Sequence, residues 1–222
     1  MEVDSGLLPL PWLAIANVGA ALLLIAAAWS APWRRLREAE MQHAWFGAMV
    51  ALMVLWWIRA GIVPGLGFHF FGVTTLTLMF GWQLALLAGP AVLAAGIWTG
   101  HGDWAALGMN ALVLFGLPVA VTWIVHRQAS RRLPWNFFVY IFINCYLSAV
   151  LSMALATLCM AGLQVAAGQV SASYLFSDYL PFLPMLLLSE GFINGAVMAV
   201  LVATRPAWVW TFDDERYLRR GT

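Results

Sequence analysis

Every basic residue in this 222-residue chain is an arginine, and ten of the eleven fall in three short clusters. The clusters are Arg34, Arg35 and Arg37, then Arg127, Arg131 and Arg132, then Arg205, Arg216, Arg219 and Arg220, with Arg59 apart. Between them run long apolar stretches with almost no charge. A soluble domain is roughly one quarter charged because it must present a wet surface. Here charged residues make up 9% of the chain and apolar ones 63%. About 20 apolar residues suffice to cross a ~30 Å hydrocarbon core. The pattern excludes a soluble fold and predicts an all-α, polytopic membrane helix bundle.

Hydropathy predicts about seven spans. They cover 8–30, closed by Pro32; 43–60, ending at Arg59, Gly61 and Pro64; a short, glycine-flanked 66–80; 82–98; 104–126; 136–167; and 180–203. The sixth exceeds one upright crossing and calls for tilt, a kink or an interfacial end. Cytoplasmic loops are enriched in arginine and lysine. With seven spans, loops 31–42 and 127–134 and the tail after 204 share one side, which is then cytoplasmic. The N-terminus lies outside, with Glu2, Asp4, His101, Asp103 and Asp178. If 66–80 were re-entrant, the 127–134 arginines would fall outside, so it is expected to span. The chain reads as one integral membrane domain, 1–204, with a short charged cytoplasmic tail, 205–222.

Several classes drop out. A net charge of +1 without a basic, aromatic-interleaved face offers nothing to nucleic acid. The absence of lysine removes any P-loop, and neither a G-x-S-x-G elbow nor an H-E-x-x-H helix is present. The chain is therefore not expected to be an enzyme. Cys145 and Cys159 lie ~21 Å apart on one helix and cannot pair. The Met-Glu-Val-Asp start has no basic n-region, so no cleaved signal is expected.

Ionisable groups inside apolar runs are functional candidates, because burying them in lipid is costly. His69 stands in GIVPGLGFHFFGVTT, where flanking glycines allow close approach of backbone or ligand. A neutral imidazole is the commonest protein ligand for late first-row divalent metals. Glu190, near the middle of the last span, can bind a cation, pass a proton, or tie helices together through Asn194, Asn110 or Asn144. His101 and Asp103 occupy an external glycine-rich turn. His43 and His126 sit at cytoplasmic span ends, where snorkelling accounts for them. Arg59 either caps the second span or pairs with Glu2, Asp4 or Asp178. Ala44, Gly47, Ala48 and Ala51 form a small-residue face of the kind that lets helices approach closely.

The stretch from Gln42 to Pro90 is similar to the CbiM/NikM-type substrate-capture subunits of energy-coupling-factor cobalt and nickel transporters. In both, an apolar helix leads through a Pro-Gly turn to a histidine, followed by a small-residue helix and a tight turn. LLSEGFINGAVMAVLVATRPAWV (187–209) resembles that family's final helix, and Gly6, Leu8 and Pro9 match its beginning. The resemblance implies a seven-helix subunit with an external N-terminus in the bacterial plasma membrane. Its partners would be a transmembrane coupling subunit, docked on the Ala44/Gly47/Ala48/Ala51 face, and separate ATPase chains. There the ion is held by the N-terminal amine, the amide and side chain of a histidine at the second residue, and a histidine in the third span. Carried over, Met1 supplies the amine and His69 the third-span ligand. Glu2 departs from the pattern and offers oxygen where the family has nitrogen, with Asp4, His101 and Glu190 as accessory groups. No intrinsic cofactor is implied, since a divalent cobalt- or nickel-class ion would be cargo. The alternatives are a membrane redox protein holding haem between histidines, with His43 and His126 at one level and His69 and His101 at the other, or a structural membrane protein without a small-molecule substrate.

Overall fold

The computed structural model describes residues 2–60 and 67–217. Met1, the Pro64–Gly65 turn and the last two arginines of the tail lie outside the described residues. Almost everything described is helical. The long elements are α1 (Leu10–Ser30), α2 (Ala39–Trp57), α3 (Val73–Trp98), α4 (Trp104–Arg132), α5 (Phe137–Ala166) and α6 (Ala172–Thr204). Among the described residues, five of these, all but α2, are long and apolar enough to cross a membrane. In α2 the first turns carry Glu40, Gln42 and His43.

Local chemistry sets the boundaries. Pro11 stands in the first turn of α1, where its missing N–H costs nothing, and the helix ends where Ala31 turns extended ahead of Pro32. The side chains of Asp103, Asn136 and Ser171 accept backbone N–H groups from Ala106, Phe138 and Tyr174, capping the starts of α4, α5 and α6. The last helix begins eight residues before the expected 180. The widened turns of Leu175–Tyr179 and the tightened turn of Leu180–Phe182 let the chain pass Pro181 without stopping. The expected sixth span is one 30-residue helix whose Tyr140–Leu147 stretch is likewise widened.

The expected third span takes a different form. Only residues from Val73 onward are helical, and Phe68–His69 instead forms a strand, β2, paired antiparallel with β1 (Arg59–Ala60). Helix α3 is broken at Gly81, with φ 82° and ψ 166°, a conformation that side-chain-bearing residues rarely adopt. Around the break the chain meets the tail: the Trp210 and Thr211 N–H groups donate to the Met79 and Leu78 carbonyls, and Gln83 donates to the Ser30 carbonyl. This end of the bundle also holds Tyr140 bonded to Thr211 (2.6 Å) and Trp208 bonded to Glu40 (2.7 Å). The tail is no free appendage up to Tyr217. Phe212 and Tyr217 stack on each other and pack against Tyr140, because TFDDERY mixes aromatic rings with its charges.

Helix α3 is central, packed on α1, α2 and α4, with α5 and α6 completing the bundle beyond α4. Its apolar window is 61% buried, against 22% for α1, whose Ile15, Val18, Leu22 and Ile25 face outward. Such an apolar outer surface suits lipid. Helix α1 meets α4 at Gly108, whose N–H donates to Asn17 Oδ1 while Asn17 Nδ2 donates to the Ala105 carbonyl, both at 2.8 Å. A Cβ at Gly108 would stand 2.4 Å from the Asn17 Cα. Backbone cannot yield as a side-chain tip can, so Gly108→Ala is expected to lower stability in detergent by about 1–3 kcal/mol. An unchanged melting temperature would show that α1 does not pack here.

Candidate functional site

At the end of the bundle opposite Trp210, the N-terminal segment lies against the starts of α4 and of the β1–β2 hairpin. Asn110 clasps it as a neighbouring strand would: the Val3 N–H donates to Asn110 Oδ1 (3.0 Å), and Asn110 Nδ2 returns a bond to the Val3 carbonyl (2.9 Å). The Ser5 N–H donates to Asp103 Oδ2 at 2.6 Å. Glu2 is fastened by Arg59, whose two terminal nitrogens donate to its two carboxylate oxygens at 2.5 and 2.9 Å. Both side chains are largely buried, 4% exposed for Glu2 and 17% for Arg59. Burial by itself would raise the Glu2 carboxyl. The neighbouring His69 and the Arg59 hydrogen bonds outweigh it and bring the group down to about 2.

His69 stands opposite Arg59 in the hairpin register and is 2% exposed. Its ring lies 4.5 Å from the Trp56 ring and 5.3 Å from that of Phe71. Nδ1 is 3.1 Å from the Phe70 carbonyl, which can only accept, so Nδ1 carries the proton. That leaves Nε2 as a lone-pair donor, buried and, among the described residues, with no hydrogen-bond partner. This is the arrangement by which proteins prepare an imidazole for a metal, a carbonyl behind the ring fixing tautomer and orientation. Trp56 adds a bond from Nε1 to the Phe71 carbonyl at 3.0 Å. Phe68, next to His69, is stacked on Tyr179 of α6 at 4.5 Å.

The expected site residues are thus partly assembled. Glu2 and His69 share this end of the bundle, and Met1 lies outside the described residues. Asp4 is exposed, and His101 contacts Thr99. Among the described residues, no three His, Cys, Asp or Glu side chains converge as a ready metal cage. Glu190 faces the backbone rather than His69, accepting from the Phe71 and Gly72 N–H groups at 2.9 Å each and from Asn194 Nδ2 at 2.8 Å. Of the three asparagines open to it, Asn194 is the partner. Ala44, Gly47, Ala48 and Ala51 line an apolar groove of about 540 Å³ with Gly72, Thr75, Asn194 and Leu201. Asn110 and Trp56 shape the site without having announced those roles, because their partners lie 107 and 15 residues away, whereas the Arg59 pairing with Glu2 is one of those left open for it.

The architecture is that of a multi-pass helical membrane protein with a buried nitrogen donor at one end. The chain belongs to the CbiM family, described as the cobalt uptake substrate-specific transmembrane region, whose model matches residues 3–208. It is accordingly a membrane component of metal-ion transport, with the metal as substrate. Two solved structures share the fold. A "transition metal transporter" is 18% identical, covers 91% of this chain and 93% of its own, and superposes with a TM-score of 0.72. A "truncated transition metal transporter" is 19% identical, covers 91% and 99%, and has the same TM-score. No curated protein matches the chain.

Proposed function

We propose that this chain captures a divalent ion of the cobalt or nickel class at the end of the bundle marked by His69. It would act as the permease subunit of an energy-coupling-factor transporter in the bacterial plasma membrane. The observation that carries the reading is His69 Nε2, buried, without a partner among the described residues and oriented through Nδ1. The Met1 amine, which lies outside the described residues, and the main-chain nitrogen of Glu2 would complete a nitrogen-rich donor set. Both Glu2 carboxylate oxygens are held by Arg59, so that side chain joins the ion only by giving up the pair. Asp4 and His101 are placed to serve ion arrival more readily than ligation.

Seven crossings and an external N-terminus fit the contacts at the two ends. Residues 67–80 run from the Arg59 end to Trp210 as strand, turn and short helix, and count as one crossing. The described arginines of all three clusters then fall at the Trp210 end, which the positive-inside rule makes cytoplasmic. A haem protein is disfavoured at His69, because Trp56 and Phe71 already pack against its ring.

Energy would come from separate ATPase chains through a coupling subunit seated in the apolar groove on α2. Ala48→Trp is expected to fill that groove, abolishing uptake in cells while the purified protein still binds metal. Retained uptake would place the partner elsewhere. The reading as a whole is tested by titrating Co²⁺ and Ni²⁺ into the purified chain starting at Met1. About one equivalent should bind, as a single site at His69 implies, and binding no greater than a detergent blank would contradict it.

A further inference from the structure

The loop that carries His69 has a structural problem which the last helix solves. The short helical stretch 73–80 begins inside the bundle, and the first N–H groups of a helix have no partner within it. At membrane depth an unsatisfied amide costs several kcal/mol. Glu190 takes the Phe71 and Gly72 N–H groups, one on each carboxylate oxygen. Asn194, one turn later on α6, takes the Thr75 N–H at 3.0 Å and the Thr75 hydroxyl at 2.7 Å. Asn194 Nδ2 in turn donates to Glu190 Oε1 and to the Glu190 carbonyl, both at 2.8 Å, tying the two acceptors into one clasp.

The clasp bears directly on the imidazole. The Phe70 carbonyl that holds His69 Nδ1 belongs to the same peptide unit as the Phe71 N–H that Glu190 holds. The Phe71 carbonyl, bonded to Trp56, belongs to the same peptide unit as the Gly72 N–H on the other oxygen of Glu190. Two consecutive peptide planes behind His69 are thus set by one carboxylate. Gly72 follows with φ 65°, a left-handed conformation that side-chain-bearing residues rarely adopt, so the turn after the two held peptides depends on glycine.

We infer that Glu190, clasped by Asn194, is a positioning residue for ion capture, holding the peptide that aims His69 Nε2. It donates no ligand itself, since both oxygens are engaged by backbone N–H groups. The inference rests on His69 being a ligand. It departs from the expectation that a carboxylate in the last span either meets the ion or merely joins helices.

The test uses the full chain with Co²⁺ as probe, reading affinity, the ligand-field spectrum of bound Co²⁺ and melting temperature together. Glu190→Gln keeps the shape but turns an NH₂ group toward one of the two N–H donors. It is expected to weaken Co²⁺ binding about tenfold or more and to change the spectrum, the range seen when outer-shell partners are removed. Asn194→Ala, which leaves the carboxylate in place, should shift both in the same direction by less. Asn136→Ala, which removes the cap that accepts the Phe138 N–H at the start of α5, serves as a control for stability alone. Wild-type affinity and spectrum in both clasp variants would overturn the inference. So would an equal loss in Asn136→Ala at an equal drop in melting temperature. If His69→Ala itself binds Co²⁺ as wild type does, it is the reading of the site that fails.

Discussion

His69→Ala is expected to weaken Co²⁺ and Ni²⁺ binding by more than about 100-fold, because removing a ligand exceeds the 10–100-fold cost of losing an outer-shell partner. The argument rests on what the ring already lacks. Nε2 is buried without a partner, and such atoms are rare in folded proteins unless something is meant to meet them. Nothing else among the described side chains replaces it, since Glu2 is committed to Arg59 and Glu190 to backbone. The truncation leaves a cavity between Trp56 and Phe71, which costs stability by a few kcal/mol at most. Affinities are therefore to be compared well below both melting temperatures, by calorimetric titration. A variant that folds and binds within a few-fold of wild type removes His69 from the donor set.

Arg59→Ala is expected to release the N-terminal segment at a cost of about 3 kcal/mol, the scale for breaking a buried ion pair by removing one partner. The fork of Arg59 meets both carboxylate oxygens of a side chain that is 4% exposed, so Glu2 would keep its charge without its guanidinium. Hydrogen exchange should quicken at residues 2–8, where Asn110 and Asp103 alone would then hold the segment. The double variant Arg59→Ala/Glu2→Gln should recover most of the loss. The pH dependence has a definite sign. The folded value of Glu2, about 2, lies below its ordinary 4.5, so the pair contributes fully above about pH 4.5. That contribution is lost as pH falls from 4.5 toward 2. In Arg59→Ala this acid loss should become smaller, because Arg59 is one of several groups that lower the carboxyl. Unchanged exchange at residues 2–8 would mean that the ion pair does not hold the segment.

The class of the protein was plain from its arginine clusters, because lipid tolerates so few charges that their positions alone outline a bundle. His69 was legible for the same reason, as a polar ring amid glycines in an apolar run. The small-residue face on α2 was legible from spacing and does line a groove. The path of 66–80 was not. Hydropathy averages over a window and cannot distinguish a helix from a strand, a left-handed glycine and eight helical residues. The last span was expected from 180, whereas α6 starts at Ala172 and its loosened turns carry it past Pro181. The Glu2–Arg59 pair was one of several open partnerings for Arg59, since charge chemistry names candidates and only the fold chooses. Glu190 was left open between an ion, a proton and a tie through an asparagine, and Asn194 is a partner it has, but the backbone it holds was not foreseen. A carboxylate at the midplane suggests an ion, but here it meets the backbone of a helix that starts inside the bundle, which no pattern along the chain reveals.

The central claim, that a transition-metal ion is held by the imidazole of His69, is tested most directly by X-ray absorption at the metal edge of the Co²⁺-loaded protein. A nitrogen-rich first shell with the outer scattering of one imidazole is predicted, and that imidazole signal should vanish in His69→Ala. A wild-type spectrum without imidazole scattering, or one unchanged in the variant, would contradict it.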